Sequence, residues 1–237
     1  MPTAPEPAPR PAPSFPKARA TRQRIWDLPT RLFHWALAVT VTGLLVTGLN
    51  GIMEWHFRLG YATLALLLFR LLWGFVGGRW SRFATFAYGP GAVLAYLRGR
   101  ASAEHRVGHS PLGALSVFVM LAVLVLQVAT GLTSDDAITY AGPLAGFVSS
   151  AVVDWSTGWH AVRGKWAVFA LIGLHLMAVL FYVVVRRRSL VRPMFSGDQL
   201  LDGPVVPSRD DTASRMLALA LFAACGGAAF WVSTLRA

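Results

Sequence analysis

A histidine within an apolar segment is costly to hold in hydrocarbon and is a functional hypothesis by default. The 237-residue chain has six histidines. The stretch WHAVRGKWAVFALIGLH places His160 and His175 at the two ends of one apolar run, fifteen positions apart. At 1.5 Å per helical residue that separation is roughly 22 Å. His34 sits at the start of an earlier apolar run whose far end, Leu49, is again fifteen residues on, and His56 follows just past a short turn. The four histidines therefore fall into two layers, an inner one with His34 and His175 and an outer one with His56 and His160. Fifteen steps of 100° leave about 60° of rotation, so His160 and His175 project from one side of their helix. One helix thus faces two sites, each completed by a different neighbour.

Two imidazoles brought level by different helices inside a bundle form the axial ligand set of haem iron. Two such sites stacked across a bilayer make an electron path, and filled axial positions favour electron transfer over oxygen binding. Zinc usually takes four ligands at one place, and no carboxylate accompanies the inner pair. The competing reading is a non-redox membrane protein whose histidines relay protons or bind metal. His105 and His109 fall in a loop or at its end, where they are expected to be solvated or to serve a proton or quinone site. Haem propionates need cationic partners. Arg31, one turn before His34, and Arg70, deep in LALLLFRLLWG, are candidates for the inner layer, with Arg58, Arg163 and Lys165 for the outer one. Gly43, Gly48, Gly60, Gly131 and Gly173 recur in the apolar runs, where small residues admit a neighbouring helix or a flat macrocycle.

The elements that must position these side chains follow from composition. The chain is 55% hydrophobic and 14% charged, against about 25% charged in soluble domains. Five apolar runs meet the roughly 20 residues a crossing helix needs: 32–51, 54–78, 110–132, 158–185 and 216–235. The expected fold is all-α, an integral membrane bundle with a four-helix haem-binding core over 25–198 and a fifth crossing helix over 214–237. Residues 1–24, rich in Pro, Ala and Arg, read as a disordered basic tail, and 199–213 as a linker. Trp26, Trp35, Trp55, Trp73, Trp80, Trp155 and Trp159 fall near proposed helix ends, as an interfacial aromatic belt does.

Charge sets the direction. Six Lys or Arg precede the first run, five lie between the second and third, and six follow the fourth, whereas 133–157 has none and carries Asp135, Asp136 and Asp154. The positive-inside rule then places the amino terminus in the cytoplasm. The net charge of +11 is distributed between apolar runs, so anionic membrane lipid is the expected partner and nucleic acid is not. The lone Cys225 excludes an internal disulfide and an iron–sulfur cluster, and no C-x-x-C-H motif exists for covalent haem. No dinucleotide turn or phosphate loop is present.

Three segments resemble bacterial cytochrome b561 proteins and the cytochrome b subunit of nickel–iron hydrogenases. RIWDLPTRLFHW resembles the family's opening and WHFRLGYATLALLLFRLLWGFVG its second helix. WHAVRGKWAVFALIGLHLMAVLFYVVVRRRSLVRPMFSGD resembles its fourth helix and following tail. Together they span roughly residues 24–198. The resemblance implies a four-helix core with two non-covalent b-type haems, axial histidines at 34, 56, 160 and 175, and electron exchange with quinone or quinol and partner redox proteins. The expected location is the bacterial inner membrane, and the three aspartates of the outer loop are expected to form a dock for a periplasmic cytochrome c. A terminal oxidoreductase acting directly on superoxide or ferric iron is the alternative. In the usual pattern the two histidines of the fourth helix are fourteen apart, not fifteen. One extra residue turns His160 by about 100°, which a wider turn or a frayed helix start would absorb.

Overall fold

The computed structural model of the protein describes residues 21–100, 107–201 and 203–235. Among them a short strand β1 (Thr21–Arg24) leads into α1 (Leu28–Leu49), α2 (Met53–Val76), α3 (Pro90–Leu97) and α4 (Pro111–Leu132). There follow α5 (Ser150–Gly158), a π turn (Trp159–Gly164), α6 (Lys165–Val184), α7 (Val191–Ser196), β2 (Asp198–Leu201) and α8 (Thr212–Thr234). Five helices have the length and apolarity to cross a membrane, the fourth being the continuous rod Ser150–Val184 formed by α5, the π turn and α6.

Local signals explain the helix starts. Asp27 caps α1, its carboxylate accepting from the backbone N–H of Thr30, with Pro29 in the first turn. Ser110 caps α4 just before Pro111, and Asp211 caps α8 through the Ser214 N–H. α1 and α2 form an antiparallel hairpin whose tight turn uses Gly51 at φ +67°. The core joins Phe33 and Val41 of α1, Leu66, Phe69 and Trp73 of α2, Leu121 and Leu124 of α4, and Val168 of α6. α8 lies against α2, burying the small side chains of Ala218, Cys225 and Ala229, a spacing that lets two helices approach closely without a hydrophobic driving force. Large apolar side chains such as Val39, Phe75 and Phe230 face outward at 70–72% exposure, as lipid contact requires.

The structure departs from the sequence expectations in four places. The expected loop 133–157 turns helical at Ser150, because α5 continues the fourth span beyond its apolar stretch. Residues 21–24, read as the end of a disordered tail, form β1, which pairs antiparallel with β2 from Arg24↔Asp198 to Thr21↔Leu201; residues 1–20 lie outside the described residues. The linker is folded too: Arg24 bonds Asp198 and Asp210, each at 2.7 Å, and Ser208 Oγ donates to Ile25 O at 2.6 Å. Finally, two of the tryptophans are core rather than belt. Trp26 is buried, and Trp73 is fully buried, stacked on Phe69 with its Nε1–H donating to Asp27.

Candidate functional site

The bundle brings the four histidines together as two pairs. His34 of α1 faces His175 of α6 with ring centres 6.4 Å apart, and His56 of α2 faces His160 of the π turn at 6.0 Å. An iron bound to a nitrogen about 2 Å away on each side places the two imidazole centres about 6 Å apart. Both gaps therefore suit one iron held between two rings. Among the described residues no group of three or more His, Cys, Asp or Glu side chains could hold a metal ion, so each pair is a two-ligand set, suited to an iron whose other ligands come from a macrocycle.

The extra residue between His160 and His175 is taken up by the π turn. Its i→i+5 pattern inserts one residue without breaking the rod, and His160 points at His56 instead of swinging away by about 100°.

Each outer histidine is seated on a glycine of a neighbouring helix. A Cβ on Gly48 would stand 3.0 Å from His56 Cε1, and one on Gly131 would stand 2.6 Å from His160 Cε1. Four residues before each glycine, a backbone carbonyl accepts the ring's Nδ1–H: Leu44 O at 3.1 Å for His56 and Gln127 O at 2.8 Å for His160. A carbonyl only accepts, so Nδ1 carries the proton and Nε2 is left as the ligand atom. The two cradles share a sequence, Thr47-Gly48-Leu49 and Thr130-Gly131-Leu132. At the inner pair, by contrast, His34 Nδ1 is buried with no hydrogen-bond partner.

The cavities around the pairs differ. The inner one, of about 2350 Å³, is lined by His34, His175 and cations that include Arg70, Arg79, Arg187, Arg188 and Arg192. The outer one, of about 330 Å³, is lined by His56 and His160 with Lys165, Tyr61 and Tyr140. Val41, Leu124 and Val168 line both, forming a thin apolar partition. Of the cations expected near a cofactor, Arg70 and Lys165 line these spaces. Arg31 does not: it donates to Phe195 O and so holds α7. Arg58 is exposed and paired with Glu54 at 2.5 Å, and Arg163 is exposed on the outside of the π turn.

Sequence reasoning missed the polar cluster beneath the inner pair. Asp27, fully buried, accepts from Thr30 N at 2.8 Å, Ser81 Oγ at 2.6 Å and Trp73 Nε1 at 3.2 Å. Arg70, only 3% exposed, donates to Ser81 O at 3.1 Å and lies over the Phe83 ring. The clue was Asp-Leu-Pro ahead of an apolar run, a helix-start signature. Of the two expectations for His109, free solvation does not hold: its ring is packed between Trp26 and Phe86 at ring-centre distances of 4.7 and 4.4 Å with Nδ1 buried without a partner, and it lines the inner cavity. Burial, with the nearby Arg70 charge, pushes its pKa down to about 3. His105 lies outside the described residues. In the outer loop, backbone N–H groups of Tyr140, Thr139 and Ile138 bond the Asp136 carboxylate and hold its pKa below the ordinary value.

The family pattern of prokaryotic cytochrome b561 matches residues 25–197. The chain is similar to the probable Ni/Fe-hydrogenase B-type cytochrome subunit of Bradyrhizobium diazoefficiens, 26% identical over 74% of this chain and 85% of the relative. It is similar to the protein of the same description from Azotobacter vinelandii, 27% identical over 76% and 89%. The probable Ni/Fe-hydrogenase 1 B-type cytochrome subunit of Escherichia coli K12 is 24% identical over 73% and 88%. With five apolar helices and a match across most of its length, the chain belongs to the prokaryotic cytochrome b561 family, bacterial membrane b-type cytochromes that transfer electrons through haem b.

Proposed function

We propose that this cytochrome holds two haems, one clamped by His34 and His175 and one by His56 and His160, and passes electrons between the quinone pool and a redox protein at the outer face. The observation that carries this reading is the pair of level imidazole gaps, 6.4 and 6.0 Å, in one bundle. Bound haem iron supplies a one-electron carrier at each layer. The protein's own residues do the rest. The histidines fix the two irons, Val41, Leu124 and Val168 separate them with apolar bulk, and Arg70 and Lys165 offer charge to propionates. Arg79, Arg187, Arg188 and Arg192 add to that charge on the inner side.

The arginine excess of the inner loops supports a bacterial inner-membrane protein with a cytoplasmic amino terminus. His109, a candidate for a quinone site, lines the inner cavity, which supports quinone or quinol exchange on that side. A nickel–iron hydrogenase is the outer partner that the relatives' descriptions suggest. A cytochrome c docking on Asp135, Asp136 and Asp154 is the second reading, favoured by the outer loop's negative charge, with the Asp136 carboxyl held below its ordinary pKa by backbone N–H groups. The test is reduction by quinol in proteoliposomes, followed in the haem absorption bands. The wild type should be reduced at both haems, and the His56→Ala variant at the inner haem alone. Absence of any quinol-driven reduction in haem-replete protein would contradict the quinone role.

A further inference from the structure

We infer that Gln127 is a positioning residue for the outer haem, acting through the π turn that carries His160; this rests on the ligand reading just proposed. A π turn shifts the backbone pairing of its helix from i→i+4 to i→i+5, and polar backbone groups at membrane depth need partners within the protein. Here α4 adds a partner from the neighbouring helix: Gln127 Nε2–H donates to His160 O at 2.9 Å. In return the His160 ring donates through Nδ1 to Gln127 O at 2.8 Å. The two residues thus clasp one another through both backbone and side chain, 33 positions apart in sequence. One bond keeps the inserted residue in place, and the other fixes the ring's tautomer and direction.

Three further observations converge on the carboxamide. Gln127 is the sole carboxamide or charged side chain in the predominantly apolar α4, where only a specific partner justifies its place. Its Oε1 is buried and packs directly on the Cα face of Gly164, where any Cβ would collide with it. Trp159 Nε1 is also buried without a partner and faces the same glycine, 2.6 Å from where a Cβ would be. The end of the π turn is thus shaped around this one side chain. Because the turn exists to absorb the fifteenth residue, Gln127 has this task only while that residue is present.

The test combines Gln127→Leu, Gly164→Ala, deletion of Val162, and the deletion with Gln127→Leu, in purified full-length protein loaded with haem. His160→Ala and the wild type are run beside them. The readouts are haem per chain, the low-spin ferric electron-spin resonance signals and the two midpoint potentials. The signal of the inner haem serves as the folding control. Gln127→Leu and Gly164→Ala should leave the inner haem unchanged, alter the outer signal and potential, and weaken outer haem retention by up to about 10–100-fold, the range for loss of support behind a metal ligand. Deleting Val162 returns the histidines to fourteen apart, so Gln127→Leu should add no change in that background. Wild-type outer signals in Gln127→Leu, or the same added change with and without Val162, would overturn the role of Gln127 while His160→Ala still removes the outer haem. Should His160→Ala keep both haems, the ligand reading itself fails, and the proposal with it. If Gln127→Leu alone does not fold, recovery of folding in the double variant supports the proposal and persistent misfolding opposes it.

Discussion

A haem ligand is defined as much by what surrounds its ring as by its identity. Of the glycines noted in the apolar runs, a Cβ on Gly131 would meet the His160 ring and one on Gly48 the His56 ring, while Gly60 and Gly173 have nothing within 4 Å. Gly131→Ala should therefore displace His160 and reduce outer-haem occupancy, whereas Gly173→Ala, exposed and outside both cavities, should leave haem content at the wild-type value. Absorbance spectra of the purified variants check this. His109 makes a different prediction. Its folded pKa, about 3, lies below the unfolded value of 6.5, so the unfolded chain binds more protons between those limits. Its contribution is complete above pH 6.5 and diminishes as pH falls toward 3. The wild type should lose thermal stability over that window more steeply than His109→Phe, with melting curves at stepped pH as the measurement. The four paired histidines were legible from spacing alone, since helical rise fixes depth. The burial of His109 was not, because it depends on Trp26 and Phe86, which no local pattern links to it.

At the scale of elements, the spans were legible because long apolar runs leave few alternatives in a bilayer. What escaped was every element whose signal is polar or comes from a distant partner. β1, Thr-Arg-Gln-Arg, has no alternating apolar pattern and exists because Asp198–Leu201 pairs with it. α5 carries Asp154 and stands where the apolar stretch fades. The π turn left only an arithmetic trace, one residue too many between two histidines. The inner ends of α1 and α2 are fastened by Asp27, which caps one helix and accepts from Trp73 of the other while Arg70 lies near in charge and Ser81 links them. Removing Asp27 leaves three buried donors without an acceptor, at about 1–3 kcal/mol each. Asp27→Ala should therefore lower the temperature of haem release and unfolding markedly, with Asp27→Asn intermediate, as followed by circular dichroism and haem absorbance together. Equal stability of Asp27→Ala and wild type would mean that the cluster does not hold this end.

For the whole molecule, one rod built from α5, the π turn and α6 presents a histidine to each of two layers, α1 and α2 supply one partner each, and α4 supplies the carbonyl that orients His160. α8 buttresses α2 and contributes no histidine. The family match ends at residue 197, before the fifth helix begins. The most direct test is haem per chain in the wild type and in His34→Ala, His56→Ala, His160→Ala and His175→Ala, each resolved by its low-spin ferric signals. The predicted result is two haems in the wild type and one in each variant, with His34→Ala and His175→Ala losing the same signal and His56→Ala and His160→Ala losing the other. Haem content that stays unchanged in the variants, or signals that vanish in any other pairing, would contradict it.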